Sequence, residues 1–166
     1  MKFIVRILIL TLIFSCSSTK SGVAKPSKKT LKGTWQVNNI KFVGDKGLYK
    51  AFLFDLADSA CFKNSEWVFI PNNGSGKFTT SATTSQCEIM TNSIHWSFND
   101  TGDAGQLFQF KYIDADTKAK KVTTGYSGTI DSLNENTMIL RVATTYEGNA
   151  FDVLMTFNKV SDDITL

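Results

Sequence analysis

The chain is short of most residues that build reactive sites. It has 166 residues but a single histidine, His95, which excludes a multi-histidine metal site within one chain. Its three cysteines, Cys16, Cys61 and Cys87, lie too far apart for a C-x-x-C redox motif. Proline occurs only twice. The apolar run from Ile7 to Phe14 is interrupted by Thr11 and is too short to cross a bilayer as a helix. Charge of either sign is in short supply, at 18 basic and 15 acidic residues. Lys2 and Arg6 lie in a leader, so the remainder carries 16 basic against 15 acidic residues, which excludes the basic footprint of a nucleic-acid binder. The length suits one compact domain. Present in quantity are aromatics, 12% of the chain with 13 Phe, and 19 Thr residues. That composition rules out disorder and leans towards β-strands.

Residues 1–15 read as a signal peptide: a basic start, a short apolar run, and Ser15 before Cys16. The segment Leu12-Ile13-Phe14-Ser15-Cys16 resembles a bacterial lipobox, although Phe14 replaces the usual small residue. The resemblance implies a lipoprotein whose first mature residue, Cys16, is acylated. At about 0.8 kcal/mol for each buried CH₂, several acyl chains hold a protein firmly on a membrane. Residues 16–29 are Ser- and Lys-rich and read as a flexible tether. Ser17 is not the Asp that retains enteric lipoproteins in the inner membrane, and no acidic run follows Cys16. The expected location is the outer membrane, on its periplasmic face. In that oxidising compartment Cys61 and Cys87 are the remaining pair and are expected to form a disulfide, the alternative being two free buried thiols. Closing a loop of about 27 residues contributes roughly 3 to 4 kcal/mol in the chain-entropy model.

From Leu31 onward the pattern is one of strands. Gly33–Val43, Glu66–Ile70, Lys77–Ser81, Ser93–Phe98, Leu107–Ile113, Lys121–Ile130, Thr137–Tyr146 and Phe151–Val160 all combine β-prone residues with turn signals between them. Alternation is clearest where Ile94, Trp96 and Phe98 oppose His95 and Ser97. Between the first two strands, Leu48, Phe52 and Leu56 recur at i, i+4 and i+8 behind Asp45, which predicts a helix over about Lys46–Ser59. Eight strands on short links suit an antiparallel up-and-down barrel or a sandwich.

The opening Leu31-Lys32-Gly33-Thr34-Trp35, the eight-strand meander and the closing Thr156-Phe157-Asn158-Lys159 resemble the lipocalin-like domains of bacterial lipoproteins, over about Lys29–Val160. The resemblance implies an all-β, eight-stranded calycin-type barrel over 30–161, with 162–166 as a C-terminal tail. It also implies that Trp35 packs at the closed end of the barrel under an arginine. Arg141 is the only arginine after the leader and is assigned that place, with Asp or Glu side chains as alternative partners. The family arginine ends the last strand, where this chain has Lys159.

No catalytic constellation emerges. Gly125-Tyr126-Ser127-Gly128 lacks a nucleophile-elbow spacing. Gly74-Ser75-Gly76-Lys77 lacks the distal glycine and the hydroxyl of a phosphate loop. Asp114, Asp116 and Asp131 form no recognisable acid/base pair, and Asp100, Gly102 and Asp103 fall short of a calcium loop. The expectation is a protein without enzymatic activity, metal or cofactor. A barrel lined by aromatics can hold a small hydrophobic ligand, and the candidates for contacting it are Phe52, Leu56, Trp67, Trp96, Phe108, Phe110, Tyr126 and Phe157. The competing expectation is a barrel closed by its own aromatics, acting as a non-catalytic interaction module towards an envelope protein.

Overall fold

The computed structural model describes residues 27–44, 50–100, 105–114 and 116–164. The signal peptide, Cys16 and most of the tether lie outside these residues, as do Asp45 and Leu48 of the expected helix. A 3-10 turn at Lys28–Leu31 leads into β1 (Gly33–Val43). After β2 (Phe52–Leu53) and β3 (Ala57–Asp58) come β4 (Glu66–Ile70), β5 (Ser75–Thr79), β6 (Thr91–Asp100), β7 (Gln106–Tyr112), β8 (Tyr126–Leu133), β9 (Thr137–Tyr146) and β10 (Asn149–Ser161). β1 and β4 to β10 pair with their chain neighbours, and β10 returns to β1 to close an antiparallel, up-and-down barrel of eight strands. Closure pairs every barrel strand on both sides over at least part of its length.

The period of two in each strand decides what faces in. Trp35, Val37, Trp67, Phe69, Phe78, Ile94, Trp96, Phe108, Phe110, Met138, Leu140, Val153, Met155 and Phe157 are all buried. Trp67 stacks on Phe78 at 4.3 Å between ring centroids and meets Phe157 edge-on at 5.7 Å. Below them Phe69 meets Trp96 at 5.4 Å and Phe108 at 5.6 Å. Buried indole N–H groups need acceptors. Trp35 Nε1 donates to the Leu31 carbonyl at 2.9 Å, Trp67 Nε1 to Ser65 Oγ at 3.0 Å, and Trp96 Nε1 to the Ser75 carbonyl at 2.7 Å.

One end of the barrel is sealed around Trp35. Gly33 begins β1 at φ +112°, and a Cβ there would stand 2.2 Å from the Ser161 carbonyl oxygen, so the Gly-x-Trp glycine permits a backbone approach that no side chain would allow. The cation over Trp35 is Lys159, with Nζ 5.1 Å from the ring, and not Arg141. Lys159 pairs directly with Trp35 across the β10–β1 ladder and so shares its face. Arg141 alternates with the inward Leu140 and Val142 and therefore points out. There it grips both carboxylate oxygens of Asp131 on β8, at 2.9 and 2.5 Å, and Asp152 on β10 at 2.8 Å.

The expected helix over Lys46–Ser59 is absent from its described part. Phe52–Leu53 pairs with Ala57–Asp58 as a tight hairpin, and Ser59–Phe62 is a 3-10 turn capped by Asp58, whose carboxylate accepts from the Ala60 N–H at 2.9 Å. The physical reason lies in which residues the barrel buries. Leu53 and Phe54 enter the core, while Phe52, a member of the helical stripe, is 65% exposed. Most strand boundaries shift by one to three residues, and the start of β8 shifts most: Ala119–Lys121 is a 3-10 turn and β8 starts only at Tyr126.

Candidate functional site

The sealed end and the aromatic stack leave the opposite end, the mouth, as the place where the barrel departs from a closed cylinder. β1 pairs with β4 only from Gly33 to Gln36. Beyond that, Asn64 N–H donates to the Val37 carbonyl at 2.7 Å and Val37 N–H to the Ser65 carbonyl at 3.0 Å, and the outer half of β1 stays with β10 alone. Ile40 pairs with Met155 and Phe42 with Val153, so both side chains sit on the inward face of this diverging half.

Residues 50–65, the described part of the segment between β1 and β4, bring Leu53, Phe54 and Phe62 into the core at this end. The 3-10 turn of this segment is tied to the β5–β6 connection by the disulfide Cys61–Cys87, which joins the two cysteines expected to pair. Ser81 N–H to the Cys61 carbonyl at 3.1 Å and Thr83 Oγ1 to the Ala60 carbonyl at 2.8 Å reinforce the same junction. Between the inward face of β1 and this stapled junction lies a groove of about 800 Å³. Ile40, Phe42, Ala60 and Cys61 supply apolar surface, and Lys50, Lys63, Asp58 and Thr83 to Gln86 bring polar groups. Most of the lining residues are polar, Ser59 and Asn64 among them, and the apolar part is the Ile40 and Phe42 wall with Ala60 and the disulfide.

The hairpin tip enters the barrel from the other side of the mouth. The Phe54 ring lies 5.0 Å from Phe110, 5.4 Å from Phe62, 5.9 Å from Tyr126 and 6.3 Å from Trp67, all edge to face. Such arrangements match the positive ring edge to the negative ring face. Tyr112 donates its hydroxyl to the Phe54 carbonyl at 2.9 Å, and Tyr126 donates to Asp55 Oδ2 at 3.3 Å. Burial first, then the nearby Tyr126 and Asp55, pushes the Tyr112 hydroxyl well above its ordinary range. Tyr126 is raised as well, by partial burial and by the Asp55 carboxylate. A second, smaller groove of about 250 Å³ runs between this hairpin, Tyr126 and Ser127 of β8, and Val142 to Thr144 of β9. It lies where β8–β9 pairing, which begins at Thr129 and Arg141, has not yet started.

The structure sorts the residues expected to touch a ligand. Trp67, Trp96, Phe108, Phe110 and Phe157 are inside and buried. Tyr126 is half-buried at the mouth. Leu56 is half-buried against the core, while Phe52 points outward from the hairpin. Phe42, Phe54, Phe62 and Tyr112 were not among the expected contacts. Tyr112 continues the Phe108-Phe110 alternation and was open to that reasoning. Phe54 was hidden by the helical reading of its neighbours. His95 turns outward between the inward Ile94 and Trp96, beside Ser97, Gln109 and Lys111 on the outer wall. Among the described residues, no three His, Cys, Asp or Glu side chains cluster in a way that would hold a metal ion.

No curated protein matches the chain in sequence. Among solved structures, a bovine odorant-binding protein in complex with a selenium-containing odorant is similar at 15% identity and a TM-score of 0.45, covering 83% of this chain and 75% of that one. The same bovine protein with undecanal gives 14% identity and a TM-score of 0.40, over 83% and 76% of the two chains. Lobster apocrustacyanin A1 gives 11% identity and a TM-score of 0.42, over 84% of this chain and 66% of its own. The lipocalin-like domain family matches residues 31–140, from the turn beneath Trp35 to the middle of β9. With that match over most of a closed eight-stranded barrel, the chain belongs to the lipocalin-like domain family.

Proposed function

We propose that the protein is a lipid-anchored binding protein of the bacterial envelope, which holds a small hydrophobic ligand in the mouth half of its barrel. The observation that carries the ligand reading is the groove of about 800 Å³ where β1 leaves β4 and turns Ile40 and Phe42 towards it. Members of this fold class typically bind small hydrophobic molecules, and the aromatics deeper in this barrel leave the mouth as the place for one. The anchor is Cys16, acylated after removal of residues 1–15, and the 16–29 tether sets the barrel off from the periplasmic face of the outer membrane. The role requires no catalytic group or cofactor.

The packed lower half of the barrel favours a second reading, an interaction module towards another envelope protein. Thermal unfolding of delipidated protein with a panel of fatty acids and other apolar probes separates the two. Carriage raises Tm with ligand concentration, as expected for binding to the native state alone. Phe42→Ser removes that rise for ligands held in the groove. A Tm indifferent to every probe supports the module.

A further inference from the structure

We infer that the outer wall of the barrel binds an acidic sugar, an oxyanion carried on a hydroxylated frame, in a groove separate from the mouth. The groove is a hollow of about 470 Å³ over β6, β7 and β8, and its polar lining is His95, Ser97, Gln109, Lys111, Thr123 and Ser127. It arises where β7 and β8 part. Their pairing ends at Phe110 and Tyr126, while Lys111 stays paired with His95 on β6. Lys111 points outward, and its Nζ donates to the Val122 carbonyl at 2.7 Å. The chain leading into β8 is thereby held against the outside of the wall and encloses the hollow from one side. Gly125 borders the hollow without a side chain. A Cβ there would stand 3.5 Å from Lys111 Cγ, so the glycine keeps the space beside the lysine stem open.

Charge and hydrogen-bonding capacity name the occupant. Among the described residues, no Asp or Glu lines the groove. β5, β7 and residues 91–99 of β6 contain none at all, yet they carry Lys77, His95 and Lys111. His95 and Lys111 are direct cross-strand partners, as are Ser97 and Gln109, and Gln109 and Ser127. Side chains so paired on one face stand about 5 Å apart at Cβ, close enough to share one ligand. The set is rich in donors. An ammonium group has N–H donors beyond the one given to Val122. Gln109 spends its side-chain oxygen on the Asn99 amide at 2.8 Å, which leaves its NH₂ to donate. Among the described residues, the His95 ring and the Ser97, Thr123 and Ser127 hydroxyls make no hydrogen bond to another protein group. A donor-rich surface without carboxylates favours an acceptor-rich anion. Hydroxyls that both donate and accept suit the alcohols of a sugar. The volume is that of a small-molecule site and not of a bare ion.

The test titrates delipidated protein with glucose 6-phosphate, glucuronate, glucose and inorganic phosphate, followed by calorimetry and NMR. The acids bind, and the tighter of the two identifies the oxyanion as phosphate or carboxylate. Glucose binds at least about tenfold more weakly than that acid, the scale of a charge-assisted contact, and inorganic phosphate binds more weakly than glucose 6-phosphate. His95 is the only histidine, so its ring signals report on the groove without ambiguity, and the bound acid shifts them. Lys111→Met keeps the stem, removes the charge and weakens the acid by at least about tenfold. Lys77→Met removes a cation of the same wall outside the groove and costs less than about threefold. Phe42→Ser alters the mouth and leaves acid binding as in the wild type, so the outcome is independent of carriage. Failure of both acids to bind, glucose as tight as the acids, phosphate as tight as glucose 6-phosphate, equal losses in Lys111→Met and Lys77→Met, a loss in Phe42→Ser, or unmoved His95 signals at saturation overturns the inference. If Lys111→Met does not fold, the exposed Ser127→Glu, which sets a carboxylate in the groove, must abolish acid binding, and binding that survives it overturns the inference.

Discussion

Replacing Cys61 and Cys87 by serine together removes the one covalent link between the mouth segment and the β5–β6 connection. The bridge spans a sequence separation of 26. In the chain-entropy model a loop of that size restricts the denatured ensemble by about 12 cal/mol/K, or about 3.5 kcal/mol at 25 °C. Most local contacts at the junction survive the change, including Thr83 Oγ1 to the Ala60 carbonyl and Ser81 N–H to the Cys61 carbonyl. The loss therefore falls on the unfolded state. For a barrel of about 130 residues the unfolding entropy near 60 °C is about 270 cal/mol/K, so the midpoint drops by about 13 °C. Urea unfolding followed by circular dichroism and tryptophan fluorescence gives both stability and m-value. The double variant should lose about 3.5 kcal/mol, and its m-value should rise as the freed chain expands. A loss below about 1 kcal/mol with an unchanged m-value refutes the reasoning, because the staple then constrains neither state.

Three further outcomes follow from the closed end and the mouth. A double-mutant cycle on Trp35→Ala and Lys159→Ala should return a coupling of about 0.5 to 2 kcal/mol, whereas Trp35→Ala with Arg141→Ala should be additive. Gly33→Ala should cost more than about 2 kcal/mol in urea, because both its positive φ and the Ser161 carbonyl exclude a Cβ. Because the Tyr112 hydroxyl is raised in the folded state, the unfolded chain releases its proton first as the pH passes the ordinary tyrosine value near 10. Wild-type stability should therefore be flat below that pH and fall above it. Tyr112→Phe should flatten the alkaline fall, as read by urea midpoints from pH 8 to 11.

Eight strands were legible because burial on one face writes itself into the chain as alternation. Ile94 and Trp96, or Phe151, Val153, Met155 and Phe157, announce both a strand and its inward side. The hairpin at Phe52–Asp58 was not legible. Leu48, Phe52 and Leu56 carry a helical period, but the barrel buries Leu53 and Phe54 instead, a demand made by Phe62 and Trp67 further along and by the remote Phe110. The cation over Trp35 was misassigned for a related reason. Arg141 was an exceptional residue in an apolar stretch, yet period-two alternation turns it outward to Asp131 and Asp152, while Lys159 shares the Trp35 face through the β1–β10 register. That register includes bulges at Thr34/Trp35 and Val37/Asn39, which no composition or spacing reveals. The mouth was hidden for the same cause, since the divergence of β1 from β4 depends on where their pairing stops.

Mass spectrometry of the protein extracted gently from its native membrane, under conditions that preserve non-covalent complexes, tests the central claim most directly. The expected species is a chain that begins at an acylated Cys16, is two hydrogens lighter for the Cys61–Cys87 bond, and sheds a small apolar molecule on collisional activation. A chain that keeps residues 1–15, or that carries no small molecule under conditions in which a known lipocalin retains its own, would contradict it.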